Sequence, residues 1–170
     1  RGGDFDYYVM DSDGMNVDKL LDLDSWSEID NAAKWAPDGS RFAFHANPLG
    51  NREIYVWNLL DGTLSNITND SSNDLSPTWS PNGNRIAFHS QRGGGNDQIW
   101  IMDYPGGTPW QLMPNSADDS FPAWSPVDDR IAFVSSRDGD PEIWVIDLST
   151  MEVNQVTHNN GVDPLKKPPA

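Results

Sequence analysis

The sequence predicts an all-β chain made of β-propeller blades, each a sheet of four antiparallel strands, about three and a half of them in a row. Three observations carry this. A phrase recurs as Trp35-Ala36-Pro37-Asp38-Gly39, Trp79-Ser80-Pro81-Asn82-Gly83 and, worn down, Trp124-Ser125-Pro126-Val127-Asp128, with steps of 44 and 45 residues. Each copy leads into an Arg-headed apolar run: Arg41-Phe42-Ala43-Phe44, Arg85-Ile86-Ala87-Phe88 and Arg130-Ile131-Ala132-Phe133. Four short strand-like segments, separated by turn residues, fill every period. Self-similarity at this length marks a modular array whose units cannot bury their apolar faces alone. Four strands per period favour stacked propeller blades over a sandwich, which has no need to repeat one four-strand unit.

The elements follow in order. Strand A leads up to the Trp, as in Leu75-Ser76-Pro77-Thr78-Trp79 and Phe121-Pro122-Ala123-Trp124. The turn after it, Pro37-Asp38-Gly39 or Pro81-Asn82-Gly83, pairs a residue of fixed φ with one that accepts positive φ. Strand B is the Arg-headed run ending at His45, His89 or Val134. A polar loop follows (47–52, 91–97, 136–141). Then comes strand C: Glu53-Ile54-Tyr55-Val56-Trp57, Gln98-Ile99-Trp100-Ile101-Met102 and Glu142-Ile143-Trp144-Val145-Ile146. Turns such as Leu60-Asp61-Gly62 and Pro105-Gly106-Gly107 open strand D at 64–68, 110–113 and 153–157. Strands B and C are near-continuous apolar runs, the signature of a sheet covered on both faces.

The ends are out of phase with the middle. Asp6-Tyr7-Tyr8-Val9-Met10-Asp11 matches strand C with no strands A and B before it, and the chain stops where another Trp-Ser-Pro falls due. The expected units are therefore a half blade with an extended loop (1–29), blades at 30–73, 74–118 and 119–162, and a stub of a next blade or a tail (163–170). Such an array leaves apolar blade faces open. The expectation is a segment of a longer propeller, or one that a partner completes.

Composition sets outer bounds. With 26 acidic and 11 basic side chains, the net charge of −15 argues against nucleic acid and anionic membrane surfaces as partners. There is no cysteine, so neither disulfides nor thiolate metal sites exist. No apolar run of membrane-spanning length occurs.

From Asp119 to Thr157 the chain reads Phe121-Pro122-Ala123-Trp124-Ser125-Pro126, Arg130-Ile131-Ala132-Phe133, Ser136-Arg137-Asp138-Gly139 and Glu142-Ile143-Trp144-Val145-Ile146-Asp147-Leu148. This resembles the TolB-like β-propeller repeat, and the resemblance covers essentially the whole chain. Departures are Val127-Asp128 in place of Asp-Gly, Ala33 where the later units have Pro77 and Pro122, and extra residues before the first whole blade. Proteins with such repeats share a fold rather than one activity: periplasmic binding scaffolds, propellers preceding a serine peptidase, repeats fused to signalling proteins. The resemblance implies a periplasmic or extracellular setting.

The polar constellations point away from catalysis. Asp11-Ser12-Asp13-Gly14 has half the pattern of a calcium loop but sits where every unit makes its C–D turn. His45 and His89 hold the same place on neighbouring blades, where packing or edge solvation explains them better than a metal does. No Gly-x-Ser-x-Gly elbow and no phosphate-cradling loop with a Lys is present. No catalytic, metal or cofactor residues are expected. Candidate partner-binding residues are Trp26, Asp30, Asp74, Asp119 and Asp163. Trp26 stands in the extra-length stretch, as an interface anchor or a local plug. The four aspartates recur just before strand A, each capping its own loop or together lining an acidic mouth for a cation or basic peptide. Arg92 and Arg137 are expected to pair with local carboxylates. The sequence thus favours a non-enzymatic protein–protein interaction scaffold whose partner is another protein or further blades. The alternatives are a propeller segment of a serine peptidase of prolyl-oligopeptidase type, and a glycan- or cation-binding module.

Overall fold

The computed structural model describes residues 6–23, 26–29, 33–48 and 50–158. Among these the chain forms strands and no helix. β1 (Tyr7–Val9) and β2 (Asp18–Leu21) make a two-stranded ribbon, the C and D strands of a half blade. The first whole blade holds β3 (Ser27–Ile29), β4 (Lys34–Trp35), β5 (Arg41–Asn47), β6 (Glu53–Asn58) and β7 (Thr63–Asn66). It has five strands because strand A is split, β3 and β4 both pairing with β5. The second blade is β8 (Asp74–Trp79), β9 (Arg85–Ser90), β10 (Gln98–Asp103) and β11 (Trp110–Gln111). The third is β12 (Asp119–Trp124), β13 (Arg130–Ser135), β14 (Glu142–Asp147) and β15 (Glu152–Gln155). All pairs are antiparallel. β11 is shorter than the sequence suggests because Pro109 and Pro114, which lack an N–H, bracket it.

The turn after strand A closes the same way in every blade. The residue after the Trp donates to the carbonyl of the Arg that opens strand B: Ala36 to Arg41 at 2.9 Å, Ser80 to Arg85 at 2.9 Å and Ser125 to Arg130 at 2.8 Å. Gly83 takes φ +71° there. Val127 and Asp128 close the third turn without a glycine.

Three apolar cores lie between consecutive sheets, so each inner blade packs forward and back. Phe42, Phe44 and Tyr55 face the half blade with Leu21 and Leu23. Ala43, Ile54 and Val56 meet Trp79, Ile86 and Phe88 of the next blade. Ala87, Ile99 and Ile101 meet Trp124, Ile131 and Phe133 of the third. This is why strands B and C read as apolar at successive positions rather than alternately.

Polar contacts stitch the same seams. Strand A carries Pro77 or Pro122 where its register with strand B shifts, and the residue before it, Ser76 or Phe121, has φ +52°. At such a bulge a backbone N–H leaves the ladder. The preceding blade collects it: His45 Nδ1 accepts from Ser76 N–H, and His89 Nδ1 from Phe121 N–H, each at 3.3 Å. The two histidines are seam acceptors. At the other end of strand B, Arg41 lies over the rings of Trp79 and Tyr104 at 5.5 and 4.8 Å, and Arg85 over Trp124 at 5.1 Å.

The arc does not close among the described residues, and equivalent positions reveal its open side. Ile99, on strand C of the second blade, is 2% exposed, while Ile143 at the same position of the third is 44% exposed. Ala132 and Val145 are likewise half-buried where Ala87 and Ile101 are fully enclosed. On the opposite side, Trp35 is 50% exposed against 6% for Trp79 and Trp124, because the half blade offers no strand A to cover it. Truncation should sense the difference. Ile99→Val is expected to cost about 1 kcal/mol in urea unfolding, and Ile143→Val well under half of that. Equal losses at the two sites would refute the open-face assignment.

Candidate functional site

The residues marked out by the sequence lie at the start of strand A. Asp74 opens β8 and Asp119 opens β12, at 0% and 1% exposure. Each takes the cation of its own B–C loop. Arg92 Nη2 is bonded to Asp74 Oδ2, and Arg137 Nη2 reaches both oxygens of Asp119 at 3.1 and 3.0 Å. A serine at the end of strand B holds each arginine: Ser90 Oγ accepts from Arg92 N–H and Nε at 3.1 and 3.3 Å, Ser135 Oγ from Arg137 at 3.3 and 2.9 Å. Below, each guanidinium lies over two rings, Arg92 over Phe88 and Trp100, Arg137 over Phe133 and Trp144, all within 5.5 Å. The repeating unit is therefore aspartate, arginine, serine and two aromatics, an enclosed ion pair that pins the B–C loop to the blade.

The two pairs are not equally satisfied. Asn115 Nδ2 also donates to Asp119, at 2.7 Å. Asp74 Oδ1 is buried with no partner in hydrogen-bonding geometry. Burial accordingly raises the Asp74 carboxyl to about 6, against the opposing pull of Ser90 and Arg92. His89, one residue from Ser90, is lowered to about 4, again chiefly by burial, with Asp97 opposing and His45 reinforcing the change. Its acceptor role toward Phe121 N–H requires that neutral form.

Asp74 and Asp119 thus turn inward rather than lining an open acidic mouth, since each carboxylate is consumed by its arginine. Asp30 and Asp163 lie outside the described residues. Trp26 packs edge-on against Tyr55 at 4.7 Å and is half-buried, folded back as a plug on the first blade. Asp11 to Gly14 form a turn, with Gly14 N–H donating to Asp11 O at 2.9 Å. Among the described residues no group of three or more His, Asp or Glu is placed to hold a metal ion. What sequence reasoning missed is the aromatic bed beneath each arginine. Its signal was present in the coincidence of Ser-x-Arg with Phe88 and Trp100, and again with Phe133 and Trp144.

Residues 22–116 match the TolB beta propeller domain model, more than half of the chain and both of its first two whole blades. The chain belongs to the TolB β-propeller domain family. Residues 89–165 also match the model of the dipeptidyl peptidase IV N-terminal region. These TolB-type blades superpose on TolB from Acinetobacter baumannii with a TM-score of 0.76 at 25% identity, covering 89% of this chain and 37% of that one. The putative TolB from Agrobacterium tumefaciens gives 0.72 at 23%, covering 88% and 55%. A puromycin-hydrolyzing peptidase from Mycobacterium tuberculosis gives 0.65 at 15%, covering 88% and 24%. The chain therefore spans about a third to a half of the two TolB structures, and the likeness to the peptidase is one of fold. No curated protein matches at a significant level. No helix among the described residues is long and apolar enough to cross a membrane.

Proposed function

We propose that this TolB-type arc is a non-enzymatic protein–protein interaction scaffold, working in the periplasm or outside the cell. The observation that carries the reading is the face presented by β12–β15. Ile143, Ala132 and Val145 keep the pattern that buries their counterparts between blades, yet Ile143 stands open to solvent and the other two are only half-buried. Monomeric proteins seldom leave such a face bare, so it is read as a surface for a protein partner or for further blades. The strand-end charges are spent on intrablade ion pairs, which leaves them unavailable for chemistry. A photo-crosslinking residue at position 143 of the full-length natural protein, activated in cells, is expected to give one discrete protein adduct or an internal crosslink to another blade. Diffuse labelling equal to that from position 60 (Leu60 is 83% exposed) would overturn the reading.

A second reading has its own support: the arc is a segment of the propeller domain of a serine peptidase. It rests on the match of residues 89–165 to the dipeptidyl peptidase IV N-terminal region and on the peptidase among the structural neighbours. A fluorophosphonate probe separates the two, because the natural polypeptide carrying this arc is labelled only if a hydrolase serine accompanies it.

A further inference from the structure

The second blade carries a cleft of about 340 Å³ lined by Arg92, the run Gly93 to Gly95, Asn96, Gln111 and Ser116, over a floor of Gln98 and Asn115. This volume falls in the range of small-molecule sites, roughly 300–1,000 Å³. The open ends of the arc do not create it, since this blade is covered on both faces by its neighbours.

Comparison with the third blade explains its origin. There Gln155 Nε2 donates to Asp138 Oδ2, closing the B–C loop onto strand D. The matching positions of the second blade are Gln111 and Gly93, so the carboxylate is missing. Gln111 turns instead to Gln98 Oε1 at 3.0 Å. Gly93, Gly94 and Gly95 have φ of +95°, +82° and +115°, and a Cβ on any of them would meet nothing within 4 Å. Bare backbone therefore borders open space. The floor differs as well: Gln98 replaces Glu53 and Glu142 of the other blades, and it is satisfied by Asp97 O and Ala117 O at 2.8 and 2.6 Å.

The chemistry left over is neutral and of both polarities. Arg92 is neutralised by Asp74. Among the described residues, the N–H groups of Gly93 and Gly95, Gln111 Oε1, Asn96 Oδ1 and Ser116 Oγ make no hydrogen bond within the chain. An anion offers only acceptors and would meet bare acceptors in a chain of net charge −15. A hard cation wants carboxylates, and none lines the cleft. Hydroxyl groups both donate and accept, and match this set. We propose that the cleft between the Gly93–Gly95 loop and Gln111 binds a neutral polyhydroxyl ligand, a pyranose unit of a glycan.

The test is amide NMR of the whole 15N-labelled chain titrated with methyl β-glucopyranoside, methyl α-mannopyranoside, methyl β-galactopyranoside and N-acetylglucosamine. Inorganic phosphate and triglycine serve as controls. At least one sugar is expected to give saturable shifts centred on Gly93–Gly95 and Gln111, with a dissociation constant on the order of 1 mM. Gly93→Asp, which restores the third blade's carboxylate, should weaken binding at least about tenfold. Gln111→Leu, which leaves the loop unaltered, should do the same, so a folding failure of the glycine variant does not spare the proposal. It is overturned if no sugar shifts these amides, if phosphate or triglycine shifts them instead, or if Gln111→Leu binds as the parent does.

Discussion

Replacing Arg137 with Met is expected to lower the unfolding free energy at pH 7 by about 3–5 kcal/mol, the usual result of stranding a buried charge by deleting its partner. Asp119 is 1% exposed, and Arg137 supplies two of its three side-chain hydrogen bonds. The double variant Asp119→Asn with Arg137→Met should recover a large part of that loss at pH 7, since no charge then remains buried. Urea unfolding of the three chains at pH 7 checks this, with a melting point about 10 °C lower for the single variant. A loss undiminished in the double variant would assign the arginine's contribution to packing over Phe133 and Trp144 instead of to charge.

The same ion pair shows where the sequence was legible and where it was not. Strand order and blade repetition follow from periodicity, because a period sets which positions are alike whatever their contacts. Trp79 and Trp124 could thus be assigned to seams before any coordinates, and both are enclosed. The direction in which a polar side chain turns is a different matter. Asp74 and Asp119 recur just before strand A, where the sequence allows each to cap its own loop or both to line an acidic mouth; the structure pairs them instead with Arg92 and Arg137, 18 residues away along the chain. His45 and His89 are similar. Their shared repeat position is visible in the sequence, but their acceptor role depends on a bulge 31 or 32 residues downstream in the next blade. Repetition also hides differences. Gly93 opposite Gln111 reads as one more polar loop until it is set beside Asp138 and Gln155, where the same space is filled.

Between pH 4 and 6.5 the second blade is expected to hold two opposed proton linkages that nearly cancel. Asp74 ionises near 6 in the fold against 3.8 for an ordinary Asp, so the folded chain binds the extra proton and stability rises as pH falls through that window. His89 ionises near 4 against 6.5, so the unfolded chain binds the extra proton and stability falls as pH drops. Each linkage is worth about 3 kcal/mol, since every tenfold change in proton affinity between the folded and unfolded chain amounts to about 1.4 kcal/mol. Substitution should separate them. In His89→Val, which places at this seam the residue that the third blade carries as Val134, only the Asp74 linkage remains. Relative to the parent, that variant should gain about 3 kcal/mol on going from pH 7 to pH 4. Asp74→Asn should lose about as much over the same span. The constant penalty for leaving Phe121 N–H without its acceptor does not change with pH and drops out of the difference. Surface aspartates held below their usual range, among them Asp38 and Asp147, weaken all three chains alike on acidification. The readout is therefore variant minus parent, from urea midpoints across the range. Parallel profiles for the three chains would mean that neither group is perturbed.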